Sequence, residues 1–338
     1  MSVDLSFWLT LILLFFVVSV GTYFLSKLAA KFKLVAEPGE HRQHEVSTPM
    51  VGGIALYIGL LLAWRLFALP ETGLVICLGL MCFVGALDDR YSLSSKLRFL
   101  AQGLITYLMI KLTGVELHSL GVLFSTQELN LGVWSVAMTI FATIGVINAV
   151  NMSDGLDGLA GSLVILSLLG LLCIDRTLSH IALIVVFSIA GFLYWNLRVG
   201  RSKAVVFMGD AGSTMLGLLL AYLLIKSSQA PSGIQAVTAL WLLALPLMDA
   251  VGVLIVRPLT GKSPFKADRI HYHHQLIDRG LSVNQAVLAS LIVQTVFIGI
   301  GVLFLRTGVN ENFQLIIFLA FFFIYLVHLY FSANKRRS

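Results

Sequence analysis

Charge is scarce in this chain. Only 12% of its 338 residues are Asp, Glu, Lys or Arg, about half of the roughly 25% usual in soluble domains. Hydrophobic residues reach 58%, Phe supplies 22 positions and mean hydropathy is +0.92. A water-soluble core of this size cannot hide so much apolar surface. A soluble enzyme, a disordered chain and a nucleic-acid binder are therefore excluded together. The net charge of +6 then reports membrane topology and not affinity for nucleic acid. Cysteine is nearly absent as well. Cys77, Cys82 and Cys173 lie in apolar runs at no ligand spacing. That excludes a thiolate metal site and a disulfide framework and leaves buried packing as their role. Prolines number seven, and no Pro-rich, Gly/Ser-rich or low-complexity linker and no internal repeat divides the chain. Residues 1–338 are expected to form a single integral membrane domain.

What the chain does have is long apolar runs. A membrane-spanning helix needs roughly 20 mostly apolar residues. Such runs lie near 5–26, 50–68, 72–87, 97–113, 132–148, 156–174, 178–195, 212–226, 236–256, 286–305 and 313–331. Those near 72–87 and 212–226 are short, so the expected fold is all-α, a polytopic membrane helical bundle of ten to eleven transmembrane helices. Met1-Ser2-Val3-Asp4 carries no basic residue and no small-residue cleavage site precedes Lys27. The first run therefore reads as a span and not as a cleaved signal peptide. Eleven spans sort the loops into two sets. All but Arg65, Lys111, Arg176, Lys226 and Arg306 of the 23 Lys and Arg fall in one set, which the positive-inside rule assigns to the cytoplasm. The N-terminus is then outside and the C-terminus cytoplasmic. Cytoplasmic loops near 27–49, 88–96, 149–155, 196–211 and 257–285 are expected to form the site.

The acids gather on that same side: Glu37, Glu40, Glu45, Asp88, Asp89, Asp154, Asp157, Asp210, Asp268 and Asp278. A carboxylate at mid-membrane costs at least ~2.5 kcal/mol, and carboxylates at helix ends still call for partners. Asp88 and Asp89 are adjacent and repel unless a cation joins them. A solvated helix end capped by Arg90 is the plainer alternative. In Asn148-Ala-Val-Asn151-Met-Ser-Asp154-Gly-Leu-Asp157-Gly158, polar residues recur every third position and share one side of a helix, with drift. Gly155 and Gly158 loosen the backbone so that amides can approach a ligand. An Asx-rich turn is the alternative there. Phe207-Met-Gly-Asp210-Ala-Gly212-Ser213 makes Asp210 either a helix N-cap or a Mg²⁺ holder beside a phosphate on the helix N-terminus. Arg198, Arg201 and Lys203 add positive charge upstream.

The segment from Ser263 to His274 carries Arg269, His271, His273 and His274. Three histidines in four residues suggest a metal site or a phosphate grip. Zinc is disfavoured, because no Cys or second spaced pair completes a tetrahedron. The first cytoplasmic loop adds His41, Arg42 and His44. Carboxylates with basic groups and few cysteines match Mg²⁺ and phosphate better than a soft metal. Phosphoryl-group chemistry at the cytoplasmic surface follows, with one substrate in the lipid. Asp249, in Pro246-Leu-Met-Asp249, is the one carboxylate expected inside a span. It is either a buried partner for an Arg or backbone donor, or part of the cavity wall.

Six segments in chain order carry a family resemblance: Pro49 to Gly53, Gly85 to Arg90, Asn148 to Leu159, Val206 to Ser213, Val237 to Trp241 with Pro246 to Asp249, and Ser263 to His274. The chain resembles the polyprenyl-phosphate N-acetylhexosamine-1-phosphate transferases, and within them the WecA type. The related pentapeptide branch tends to carry three consecutive histidines, where this chain has His271-Tyr272-His273-His274. The resemblance implies a bacterial inner-membrane enzyme with its active site on the cytoplasmic face. Its acceptor would be undecaprenyl phosphate and its donor a UDP-N-acetylhexosamine, most simply UDP-N-acetylglucosamine. The products would be undecaprenyl-diphospho-sugar and UMP, the first membrane step of a cell-surface polysaccharide such as O-antigen. Membrane lipids are implied partners, a homodimer is left open, and nucleic acid is not a partner. Mg²⁺ is the implied cofactor, with Mn²⁺ as a candidate substitute.

By that resemblance Asp210 is the foremost metal ligand, with Asp89, Asp154 and Asp157 completing the metal and diphosphate site. Phe207 would stack on the uracil, with Gly155, Asn148, Asn151 and Asn196 around the nucleotide. His271, His273 and His274 would hold the diphosphate or sugar beside Arg269, with His44 joining from the first loop. Lys96 would face the lipid phosphate. Asp88 is expected to position the lipid phosphate or the metal. A phosphate monoester has its second pKa near ~6 and is already mostly dianionic at neutral pH, so a general base would remove little. Two rivals fit less well. A transporter gathers polar groups near the midplane, often with repeated halves, and a CDP-alcohol phosphotransferase leaves most of the six segments unexplained.

Overall fold

The computed structural model describes residues 5–36, 47–67, 69, 71–124, 126–264 and 268–335. His44 and its neighbours Glu37, Glu40, His41, Arg42 and Glu45, and also Phe265 and Lys266, lie outside the described residues. The helices in chain order are α1 (Leu5–Leu28), α2 (Gly52–Leu66), α3 (Thr72–Tyr91), α4 (Ser95–Thr113), α5 (Ser135–Met152), α6 (Leu159–Leu172) and α7 (Ser179–Asn196). They continue with α8 (Gly209–Ser228), α9 (Ala236–Leu242), α10 (Ala244–Leu259), α11 (Tyr272–Asp278), α12 (Val283–Arg306) and α13 (Glu311–Lys335). The all-α expectation needs one small amendment. β1 (Val35–Ala36) pairs antiparallel with β2 (Thr48–Pro49) beside the start of α2.

Seven of these helical segments are long and apolar enough to cross a membrane, and α9 with α10 makes an eighth if the bent pair is one span. The protein is a multi-pass membrane protein. The runs expected to be short, near 72–87 and 212–226, belong to 20-residue helices. Helix α3 continues through the polar Asp88 to Tyr91, and α8 starts three residues before the apolar run, at Gly209. The shorter apolar helices are instead α2 and α6.

Helix α8 is the axis of the bundle and packs against α2, α3, α5 and α6. Apart from Asp210, Lys226 and Ser228 its residues are buried. Small residues let the backbones meet, as expected where packing and not water exclusion drives helix association. A Cβ on Gly53 would lie 2.1 Å from the Gly212 nitrogen, and one on Gly85 would lie 2.4 Å from the Asp210 carbonyl oxygen.

The run near 236–256 is broken into α9 and α10, which meet at an 86° bend. Pro246 stands four residues after Leu242 and has no N–H to give to its carbonyl. That carbonyl accepts instead from the Ser167 hydroxyl at 2.7 Å and the Gln294 amide at 2.7 Å. The Gln294 side-chain oxygen takes the Leu245 N–H at 2.9 Å. Irregular backbone within an apolar bundle survives only with such partners. The cysteines divide: Cys77 and Cys82 are buried as expected, whereas Cys173 is exposed just past the end of α6.

The contact of α2 with α8 involves backbone on both sides, so no flexible side chain can yield. Gly53→Ala is expected to destabilise the protein by about 1–3 kcal/mol, read as a lower midpoint of thermal unfolding in detergent. Gly21→Ala, whose added Cβ meets nothing within 4 Å, serves as control. Equal midpoints for the two variants would contradict this account of the packing.

Candidate active site

The end of α3, the end of α5, the start of α8 and the loop before α11 converge at one end of the bundle. Helix α8 needs acceptors for its first amides, because its N-terminus is enclosed by protein. Asp89 supplies them from α3. Its two carboxylate oxygens accept from the backbone N–H of Asp210 at 2.8 Å and of Ala211 at 3.1 Å. Asp210 is thus not the N-cap of its own helix. It sits in the first turn with its carboxylate held by the Asn151 side-chain amide, which also reaches Ser213 Oγ at 2.9 Å. Gly209 at φ +71° makes the turn, and a Cβ there would strike Asp89.

Of the helix face and the Asx-rich turn left open for Asn148 through Asp157, both are present: α5 carries Asn148 and Asn151 and ends at Met152. Asp154 and Asp157 lie in the turn that follows, which is held where Asn196 captures the Gly158 N–H at 2.7 Å and Gly158 adopts φ +85°. Asn196 is buried, and its amide also donates to the Val206 carbonyl at 2.8 Å. It ties the turn to the segment before Phe207, and it also lines the first of the cavities at this end of the bundle. Asp157 is buried and accepts from the Arg198 guanidinium and from the Ala204 N–H at 3.1 Å. Asn148 donates to Gln102 of α4 at 2.9 Å.

Asp154 differs from these residues. No hydrogen bond or ion pair to its carboxylate forms among the described residues. Burial raises its pKa well above the usual carboxylate range, and the charges of Asp210, Asp89 and Asp157 add to the effect. Asp88 is occupied: its oxygens accept from the Leu93 N–H at 2.8 Å and the Arg98 guanidinium at 3.0 Å. Lys96 is exposed on the first turn of α4 and lines neither of the two cavities at this end of the bundle, so of these two α4 cations it is Arg98 that faces the site.

The histidines divide in the same way. Asp249 of α10 is buried and accepts from His271 Nδ1 at 2.8 Å, from the Tyr272 N–H at 2.9 Å and from the Tyr325 hydroxyl of α13. The far nitrogen of His271 meets Arg257 at 3.4 Å, and Arg257 in turn pairs with Asp268 at 3.1 Å. Burial would raise the Asp268 pKa, but the Arg257 charge and hydrogen bonds, with Lys262, lower it on balance. Both ring nitrogens of His271 are spent within the protein, and Asp249 is a structural partner. His273 is the opposite case. Its Nε2 is buried without a hydrogen-bond partner among the described residues and faces Gly155, where an added Cβ would come within 2.2 Å of it.

Two cavities open here. The first, of about 380 Å³, is lined by Asp89, Asp154, Asp157, Asp210, Arg198, Arg269, Phe207 and His274 among others. The second, of about 330 Å³, is lined by Arg98, Phe99, Asn148, Leu254, Arg257 and all three histidines. Asn151, Asp154, Gly155 and His274 belong to both and form the wall between them. In the first cavity Asp89 is hydrogen-bonded by helix amides and Asp157 is paired with Arg198, while Asp210 has the Asn151 amide and Asp154 no hydrogen bond among the described residues, so neither of these two carboxylates has an ion pair there. An anionic ligand would enter beside them only with a cation. Among the described residues no three His, Cys, Asp or Glu side chains close a metal site by themselves. Two carboxylates with room for phosphate oxygens fit Mg²⁺, which takes one or two protein carboxylates and fills its octahedron from substrate and water.

Reasoning from sequence missed Arg98, Arg257 and Tyr325. Arg98 lies ten residues past Asp88 on the next helix, and its charge was a usable signal. Tyr325 sits in an apolar run with nothing to mark it.

Residues 72–228 match the family model described as glycosyl transferase family 4. The chain is 35% identical over 325 residues to the undecaprenyl-phosphate alpha-N-acetylglucosaminyl 1-phosphate transferase of Salmonella typhi, covering 93% of this chain and 89% of that protein. The protein of that name from Escherichia coli K12 is 34% identical over the same shares. That of Yersinia pestis is 36% identical over 309 residues, 88% of this chain and 85% of that protein.

The histidine pair gives a pH signature. Burial chiefly, then the neighbouring His274, lowers the His273 pKa to about 3. Burial chiefly, then Arg269, lowers that of His274 to about 4. An unfolded chain protonates both near ~6.5, so it binds protons that the folded state refuses. Stability from this source is complete above about pH 6.5 and is lost as pH falls toward the folded values. The unfolding midpoint should drop from about pH 7 to about pH 5, and His273→Asn should flatten the drop. A wild-type midpoint constant across that window would refute the assignment.

Proposed function

The chain belongs to glycosyl transferase family 4, and we propose that it transfers N-acetylglucosamine 1-phosphate from UDP-N-acetylglucosamine to undecaprenyl phosphate, giving the lipid-linked diphospho-sugar and UMP. The observation that carries this reading is the pair of cavities sharing one wall. Donor and acceptor can each occupy a cavity and meet across Asn151, Asp154, Gly155 and His274. A clustering of the site at one end of the helices also suits an interfacial transferase better than a midplane transporter.

The first cavity takes the nucleotide sugar. Phe207 offers a face for the uracil, and Gly155, which is exposed, lets the backbone approach. Asp154 and Asp210 would hold Mg²⁺, while Asp89 and Asp157 shape their surroundings through α8 and Arg198. When bound, Mg²⁺ neutralises the diphosphate and the charge that gathers on departing UMP. His274, uncharged at neutral pH, donates a hydrogen bond to the diphosphate, and Arg269, which pairs with Asp278 at 3.3 Å, adds positive charge at the cavity rim. His273 contributes its free Nε2 behind Gly155. His271 acts at one remove, by fixing Arg257 and the loop that carries the other two.

The second cavity takes the lipid phosphate, with Phe99 and Leu254 toward the prenyl chain and Arg98 toward the anion. One phosphate oxygen of the acceptor attacks the sugar-side phosphorus. The bond from that phosphorus to the bridging oxygen breaks, and its electrons leave with UMP. Asp88 holds Arg98 in place, and the dianionic acceptor needs no base. Lys96, exposed nearby, adds to the positive potential at the surface.

In the bilayer the domain crosses eleven times, with α9 and α10 counted as one crossing, the N-terminus outside and the site facing the cytoplasm. The inner membrane of a bacterium is its place, and the product is the first lipid-linked intermediate of a surface polysaccharide.

Purified protein in detergent with undecaprenyl phosphate, Mg²⁺ and a panel of UDP-sugars is expected to release UMP with UDP-N-acetylglucosamine. Asp154→Asn and Asp210→Asn are each expected to lower turnover at least about 100-fold, as loss of a preorganised electrostatic partner does. Phe207→Ala should raise KM for the donor more than it lowers kcat. Folded protein that binds Mg²⁺ yet releases no UMP from any donor would end the transferase reading.

A further inference from the structure

A third opening lies at the same end of the bundle but outside both cavities. It is a groove of about 320 Å³ between the end of α1, the start of α2 and the end of α3. That volume is at the lower end of the range of about 300–1,000 Å³ for small-ligand sites. Its walls are apolar and outward-facing: Phe83 is 62% exposed, Phe32 53% and Leu28 49%. Among the described lining residues a single one is charged, Arg90. The Arg90 guanidinium rests 5.0 Å from the centre of the Tyr91 ring and makes no hydrogen bond or ion pair among the described residues. Lys31 and Lys33 are exposed on the turn that follows α1. The Asp88 and Asp89 carboxylates beside Arg90 in sequence are both committed elsewhere, to Arg98 and to the α8 amides.

A cation at the boundary of the hydrocarbon needs an anion or water, and basic pockets between membrane helices bind lipid headgroups. We propose that this groove binds a phospholipid with an anionic headgroup. The phosphate sits at Arg90, with Lys31 and Lys33 drawing in the negative charge, and one acyl chain lies along Phe83, Ile54 and Leu28. The site is separate from the acceptor's cavity, which opens on α4, α5 and α10. It has a mechanical link to the donor's cavity. Val51 lines the groove, and the next amide, Gly52 N–H, bonds the Phe207 carbonyl at 3.0 Å. A lipid in the groove therefore steadies the segment that carries Phe207.

The test is native mass spectrometry of the full chain, extracted in mild detergent from vesicles made of equal parts phosphatidylcholine and phosphatidylglycerol. Wild type is expected to retain phosphatidylglycerol over phosphatidylcholine. Arg90→Gln should retain about fivefold less, the effect of one basic residue near an anionic surface. Ala86→Phe, which fills the groove and leaves the charge in place, should lose the same lipid. Thermal unfolding of each variant shows that it is folded, and the two variants do not depend on one another. Equal retention of both lipids, or retention unchanged in folded variants, would overturn the proposal. So would one-for-one displacement of phosphatidylglycerol by undecaprenyl phosphate, which would give the groove to the acceptor's chain. A dimer carrying no lipid would give it to a second copy and overturn it equally. None of these readouts depends on transferase activity, so failure here leaves the transferase reading intact.

Discussion

The placement of the site depends on Asp89 accepting the first amides of α8. A helix buried on nearly every side cannot satisfy its N-terminus with water, and its dipole concentrates partial positive charge there. The carboxylate that answers comes from α3, so the two helices are locked end to end. Gly53, Gly85 and Gly209 are small because this junction leaves no space for a Cβ. Once α8 is fixed, Asp210 is presented on its first turn, Asn151 of α5 closes over it, and the position of Asp154 follows from the turn after α5.

Much of this could be read from the chain. The apolar runs and the one-sided distribution of Lys and Arg indicated a multi-pass bundle, and the spacing of polar residues located the site at one end. Sequence could not tell which carboxylates were already occupied. Asp89 and Asp157 look like Asp154 in a list of acids. The difference lies in α8 amides, an arginine and an asparagine that approach from distant segments. The same holds for His271 and His273, two residues apart, one spent on Asp249 and the other with an Nε2 that has no partner among the described residues. Period-three spacing left a helix face and an Asx-rich turn both open for Asp154 and Asp157. They lie in a turn, and the Asn196 side chain, far along the sequence, holds that turn by taking the Gly158 amide.

The bend between α9 and α10 follows a related pattern. Pro246 withholds one hydrogen bond, and Ser167 and Gln294 make good the loss from two other helices. Helix α10 then leaves on a new axis, with Asp249 and Arg257 on the face that receives the histidine loop. A single missing N–H therefore shapes a wall of the second cavity. Hydropathy cannot reveal this, because the run near 236–256 is as apolar as an unbroken span.

Gly155 stands where the two cavities touch, with the His273 ring directly behind it. A side chain on this residue would drive its Cβ to within 2.2 Å of the imidazole. Either the turn or the histidine loop would then have to retreat, and the wall that both cavities share would move with it. One hydrogen atom thus keeps the turn and the histidine loop in register.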